Sequence, residues 1–199
     1  MSFFSETKNA GLAFMIVGIL SILGGIISVI LGAIGYKVDD ATVFTIGGAV
    51  TAIGTIIYGV LYFGYGQKVR SGAISAKIEI LAMFVALVGV GTIITGIFSA
   101  IGAAVDGTDL GAVIVSVIIS IILGLIILFI SKKINDGKQT TGDKIIWILL
   151  LIIFAICVIV AILEIITIIG IITGICHLII YVFMIILLLD NEVKSAMGM

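Results

Sequence analysis

The chain has 199 residues, 62% of them hydrophobic and only 11% charged, with a mean hydropathy of +1.49, which no water-soluble globule could cover. Ten Lys and Arg against eleven Asp and Glu leave a net charge of -1, a balance that suggests neither a nucleic-acid surface nor an anionic-lipid-binding tail. Two cysteines, Cys157 and Cys176, lie inside apolar runs, where a thiol packs as a small hydrophobe and fixes no redox compartment.

In chain order, the mildly polar first eight residues lead into an apolar stretch from about Asn9 to Tyr36. It is far longer than a signal-peptide core and has no basic segment before it, so it reads as a retained membrane helix. Apolar runs bounded by charge place transmembrane helices at about 11–35, 44–66, 78–103 and 110–131. Each can cross a hydrocarbon core of about 30 Å at about 1.5 Å per residue. A last run from Ile145 to Leu189 is long enough for two crossings, and a tight turn between Glu164 and Gly170 divides it into helices at 145–163 and 168–189. The expected fold is all-α: an integral membrane six-helix bundle of three tandem transmembrane hairpins, forming a single membrane domain over 1–199.

Lys and Arg in short loops stay cytoplasmic. With the N-terminus inside, Lys8, Lys68, Arg70, Lys77, Lys132, Lys133, Lys138, Lys144 and Lys194 are all inside and Lys37 alone is outside. The chain is therefore expected to be N-in and C-in, with Asp39, Asp40, Asp106, Asp109 and Glu164 marking the outer turns.

An internal repeat accompanies this pattern. Displaced by 67 residues, Ile26 to Asp39 falls on Ile93 to Asp106 with eight of fourteen positions identical, including a shared A-I-G-x-x-V-D expected at the outer ends of helices 1 and 3. Gln67 to Gly72 likewise resembles Lys132 to Gly137. The units would be parallel, since each holds an even number of crossings.

Helix 1 carries Gly11, Gly18, Gly25 and Gly32 at a spacing of seven, helix 2 carries Gly47 and Gly54, and helix 3 carries Gly89 and Gly96. Small residues at this spacing let helix backbones pack closely along one seam. A narrow glycine-lined pore is the functional alternative. Helices 5 and 6 are instead mostly Ile and Leu, a surface suited to lipid or to the side of a partner, so the third hairpin is where a homo-oligomer or a larger membrane complex would form.

Ionisable side chains inside a membrane are costly and functional by default. Glu164 and His177 qualify, and on a hairpin centred between residues 170 and 171 they stand at equal depth. They could form a proton relay or a pH-sensitive switch, since imidazole titrates near physiological pH. The plainer reading is a hydrogen-bonded staple. Cys157 and Cys176 could also lie at similar depth across this hairpin. The outer aspartates could weakly hold a divalent cation, or simply be solvated turn residues. One His and two Cys fall short of a zinc set, so neither a metal nor a cofactor is expected. Trp147, Tyr36, Tyr58, Tyr62 and Tyr65 near helix ends fit interfacial anchoring. No phosphate loop, nucleophile–base pair or catalytic carboxylate pair stands out, and the expectation is that the protein is not an enzyme.

The segment Val17-Gly18-Ile19-Leu20-Ser-Ile22-Leu-Gly24-Gly25-Ile26, followed by Ile46-Gly47-Gly48-Ala-Val-Thr-Ala-Ile-Gly54, resembles the HdeD-like family of small six-helix membrane proteins built from repeated hairpins. The resemblance covers the first two hairpins and implies a link to acid or envelope stress, with no established catalytic residues. The expected role is thus a non-catalytic polytopic membrane protein, structural, stress-related or an accessory subunit. A small transporter or channel using Glu164 and His177 is the alternative. A cell membrane, specifically a prokaryotic plasma membrane, is the expected location.

Overall fold

A backbone crossing hydrocarbon must satisfy its N–H and C=O groups within the segment, which favours the α-helix, and a chain with no proline contains nothing to interrupt the ladder. The computed structural model describes residues 3–37, 44–166 and 171–199. After a short 3-10 turn at Phe3–Ser5 come α1 (Thr7–Ala33), α2 (Ile46–Ser71), α3 (Lys77–Val105), α4 (Leu110–Ile134), α5 (Thr141–Ile166), α6 (Ile171–Leu189) and the short α7 (Asn191–Ala196). The protein is all-α, and α1 to α6 are each long and apolar enough to cross a bilayer. It is a multi-pass membrane protein.

Several helices run past their apolar cores. Basic residues favour a helix C-terminus because they face its unsatisfied carbonyls, and the last turns of α2 and α4 contain Lys68 and Arg70, and Lys132 and Lys133. The expected turn between Glu164 and Gly170 is corrected at its start, since α5 runs through Glu164 to Ile166 and α6 starts at Ile171, while 167–170 lie outside the described residues.

The ends of α1 and α3 share one device. The Tyr36 amide donates to the Leu31 carbonyl and Gly35 to Gly32; Thr108 donates to Ala103 and Gly107 to Ala104. Both are six-residue caps closed by a glycine in the left-handed region, φ 61° at Gly35 and 87° at Gly107. This departs from the repeat alignment, which sets Gly35 over Gly102. Gly102 is an internal residue of α3 pressed against the Gly47 carbonyl and the Thr51 hydroxyl, so the aligned A-I-G segments occupy different structural positions.

The chain divides into two compact units. One comprises Met1–Val17, Tyr62–Ala86 and Phe129–Met199; the other comprises Gly18–Leu61 and Leu87–Leu128. In the first unit the core is aromatic: Phe14 of α1 lies 5.3, 4.8 and 5.4 Å, ring to ring, from Tyr62, Tyr65 and Phe84, and Phe84 lies 5.9 Å from Phe154. Tyr65 Oη donates to the Ile80 carbonyl at 2.7 Å. The interfacial assignment is corrected here for Tyr62, Tyr65 and Trp147. Tyr62, Tyr65 and Trp147 are buried, Tyr58 lies against Gly91, and Tyr36 is exposed. The Tyr58 ring fills space that Gly91 leaves open.

In the second unit the helices meet through glycines. A Cβ on Gly25 would fall against Ile56 and the Ala52 carbonyl, one on Gly32 against Thr45 and Ala49, and one on Gly59 2.9 Å from the Gly18 carbonyl. On another side of α2, Gly47 presses on the Gly102 carbonyl and Gly54 on Phe98; Gly89 and Gly96 then press on Gly124 and Ser120 of α4. In the first unit Gly11 continues the α1 stripe, meeting the Arg70 backbone of α2.

Candidate functional site

The α5–α6 hairpin begins with a side-chain cap. At the start of α5 the Thr140 amide and hydroxyl both donate to Asp143 Oδ2 at 2.6 Å, the reach-back of a third-position acid that satisfies an orphan donor. Asp143 is 1% exposed, with Lys133 Nζ 3.7 Å from its Oδ1 and 2.8 Å from Asp136. Asp136 itself lies between α4 and α5, where the Lys133 hydrogen bond and then the Lys138 amide hold its carboxyl below the ordinary carboxylate value. One turn into α5, Trp147 Nε1 donates to the Leu188 carbonyl at 2.7 Å.

Farther along, Gly174 of α6 packs closely against α5, with the Ile165 side chain as well as backbone against it. A Cβ on Gly174 would fall 2.8 Å from the Ile165 amide nitrogen and 2.9 Å from the Ala161 carbonyl. Beside this contact Glu164 Oε2 and His177 Nδ1 stand 2.7 Å apart, their side chains 36% and 21% exposed. Equal depth on antiparallel helices brings them together. The next turn of α6 sets the Tyr181 ring 5.7 Å from the imidazole, and the Tyr181 hydroxyl hydrogen-bonds with the Cys157 thiol. Glu164, His177, Tyr181 and Cys157 thus form a polar strip along an otherwise aliphatic hairpin.

The cysteines do not sit level. Cys157 stands opposite Tyr181, whereas Cys176 precedes His177 by one residue; both thiols are free. Cys176 is buried and faces a small apolar cleft with Phe3, Asn9, Leu12, Ala13, Ile16 and Ile179. Among the described residues no three His, Cys, Asp or Glu side chains converge as a metal site.

Of the outer aspartates, Asp39 and Asp40 lie outside the described residues, and the other two cap helices. Asp106 accepts from Thr45 Oγ1 at 2.6 Å and from the Gly47 amide at 3.0 Å, at the start of α2. Asp109 accepts from the Ala112 amide at the start of α4. Neither is a merely solvated turn residue.

The chain matches no family model, and no curated protein or solved structure matches it. What can be said of its chemistry comes from the residues themselves.

Among the polar contacts that escaped the sequence reading, two differ in how they could have been found. Thr140-x-x-Asp143 ahead of an apolar run is a capping signal that could have been found. The ion pair of Lys77 with Asp190, 2.7 Å across 113 positions, had no local signal at all.

Proposed function

We propose that the protein is a non-catalytic component of a membrane, a structural or accessory subunit whose α5–α6 hairpin meets its surroundings. One observation carries this reading: Tyr65, Ser131 and Trp147 join one helix to another through buried hydrogen bonds, while the outer faces are aliphatic. Tyr65 bonds the Ile80 carbonyl, Ser131 the Ala82 carbonyl and Trp147 the Leu188 carbonyl. By contrast Ile148, Ile152, Ile156 and Ile159 of α5 are about half exposed. Such a face is stable only against lipid or another apolar surface.

A single membrane domain with both termini in the cytoplasm fits this proposal. In that arrangement nine of the ten basic residues, all except Lys37, fall on the inner side, in keeping with the positive-inside rule. The likeness to HdeD-like proteins adds envelope or acid stress as the setting, in a prokaryotic plasma membrane.

The test is extraction from the native membrane in mild detergent, followed by mass spectrometry of whatever co-purifies. A partner at fixed stoichiometry is the result expected of an accessory subunit. A homogeneous self-assembly is that of a self-contained structural element. The Glu164–His177 contact favours one further reading, a proton-coupled carrier. That reading requires flux in proteoliposomes that Glu164→Gln abolishes, and unchanged flux ends it.

A further inference from the structure

We propose that the α4–α5 loop and the closing turn of α7 form a binding site for an anionic phospholipid, with Lys138, Lys144 and Lys194 at its headgroup and the outer face of α5 along its chain. The inference is independent of whether the protein is an accessory subunit, and it needs only that α5 stands in a bilayer. Contacts distant in sequence bring the three lysines to one place. Gln139 Nε2 donates to the Ser195 carbonyl at 2.7 Å. Gly198, at φ 72°, closes α7: its amide donates to the Ser195 carbonyl and the Met199 amide to that of Lys194. A Cβ on this glycine would fall 3.5 Å from Lys144 Cε and 3.4 Å from Gln139 Cβ. Lys138 and Lys194 are the chain neighbours of the two bonded residues, Gln139 and Ser195.

Charge around this contact is segregated. Asp136 takes Lys133 at 2.8 Å and the Lys138 amide, and the Lys138 ammonium acts on it only through its field. Asp143 accepts from Thr140 and lies 3.7 Å from Lys133, while Asp190 and Glu192 face Lys77 at 2.7 and 3.9 Å. Among the described residues no carboxylate forms an ion pair with Lys138, Lys144 or Lys194. A net charge of -1 for the whole chain conceals this local excess. Lysines clustered at a bilayer surface attract anionic headgroups, and a lysine beside an apolar face lays its stem along that face while its ammonium stays at headgroup level. Lys144 is placed to do so: Ile145, Ile148, Leu149 and Ile152 follow it on α5, each about half exposed, as a strip for one acyl chain. A zwitterionic lipid suits the site less well, because its choline has the same sign as the lysines.

Trp147, the chain's one tryptophan, lies one turn beyond Lys144 and reports on this place alone. Its fluorescence is measured in nanodiscs in which a fixed fraction of the lipid, either phosphatidylglycerol or phosphatidylcholine, has dibrominated acyl chains that quench at close range. The expected result is a several-fold preference for phosphatidylglycerol, read as its stronger quenching. Lys138→Gln/Lys144→Gln/Lys194→Gln is expected to remove the preference, and Lys8→Gln/Lys68→Gln, which deletes exposed cations of α1 and α2, to keep it. Equal quenching by the two lipids in the parent protein, or an equal loss in both variants, overturns the proposal. Should the triple variant fail to fold, salt decides the matter in the parent, since charges are screened beyond about 3 Å at about 1 M. A preference that falls toward one with salt supports the lysine site, and one indifferent to salt refutes it. Inorganic phosphate added at constant ionic strength separates the two sources of the anion: an unchanged preference supports the lipid, and its loss would assign the site to soluble phosphate and overturn the proposal.

Discussion

The indole Nε1–H of Trp147 donates a 2.7 Å hydrogen bond to the carbonyl of Leu188, tying the first turns of α5 to the last turn of α6. The Leu188 carbonyl belongs to the last turn of its helix, where such groups have no intrahelical partner. Trp147→Phe keeps an aromatic ring there and leaves this acceptor unpaired in a buried place. A loss of about 1–2 kcal/mol is expected, read as a lower midpoint in detergent unfolding. An unchanged midpoint would mean that another donor or a water takes the carbonyl.

Gly64 and Gly66, two residues apart on α2, are expected to respond in opposite directions. Nothing lies within 4 Å of a Cβ built on Gly64, whereas one on Gly66 falls 2.7 Å from the Gly11 carbonyl and from Phe14 Cβ. Alanine raises helix propensity at either site by up to about 1 kcal/mol. At Gly66 that gain is outweighed by overpacking of about 1–3 kcal/mol. Thermal aggregation of the two purified variants should therefore shift up for Gly64→Ala and down for Gly66→Ala; matching shifts would show that contact with α1 is not what selects glycine.

Asp106 should behave as a cap for a helix that is not its own. It accepts from Thr45 Oγ1 and the Gly47 amide at the first turn of α2, where a carboxylate meets orphan donors and the positive end of the helix dipole. Asp106→Ala is expected to cost about 1 kcal/mol, and Asp106→Asn less, since an amide oxygen still accepts. Chemical denaturation of both variants checks the order, and equal losses would point to charge rather than to the hydrogen bonds.

The ion pair between Lys77 and Asp190 predicts a pH dependence. The Lys77 hydrogen bond, followed by the Glu192 amide, holds the Asp190 carboxyl below its ordinary value. A carboxyl depressed in the folded state contributes stability that is complete above the unfolded value, about 3.9, and is lost as pH falls through the lower folded one. Asp190→Asn retains an acceptor for the Glu192 amide at the start of α7 while removing the charge. Its midpoint should lie below that of the unmodified protein near neutrality, and the gap should close between about pH 5 and about pH 2. A gap that persists in acid would assign the effect to packing.

Helix number and approximate bounds were legible because each crossing demands an unbroken apolar run of bilayer length, with charge accumulating at its ends. The Glu164–His177 contact was legible for a related reason: a short turn between antiparallel helices fixes depth by counting residues. The same counting failed for Cys157 and Cys176, which are not equidistant from that turn. Within the aligned A-I-G segments the roles differ, Gly35 closing a cap and Gly102 receiving a carbonyl.

By itself, then, the sequence determined an all-α chain with six membrane-length helices and a polar pair on the last hairpin, since hydropathy and helical depth are local properties. Tertiary structure alone decided which aromatics are core, which neighbour each glycine receives, and where Asp106 and Asp190 find their partners. Those contacts join residues 61 and 113 positions apart. They follow from how closely helix backbones approach, which depends on both surfaces at once and is written in neither segment alone.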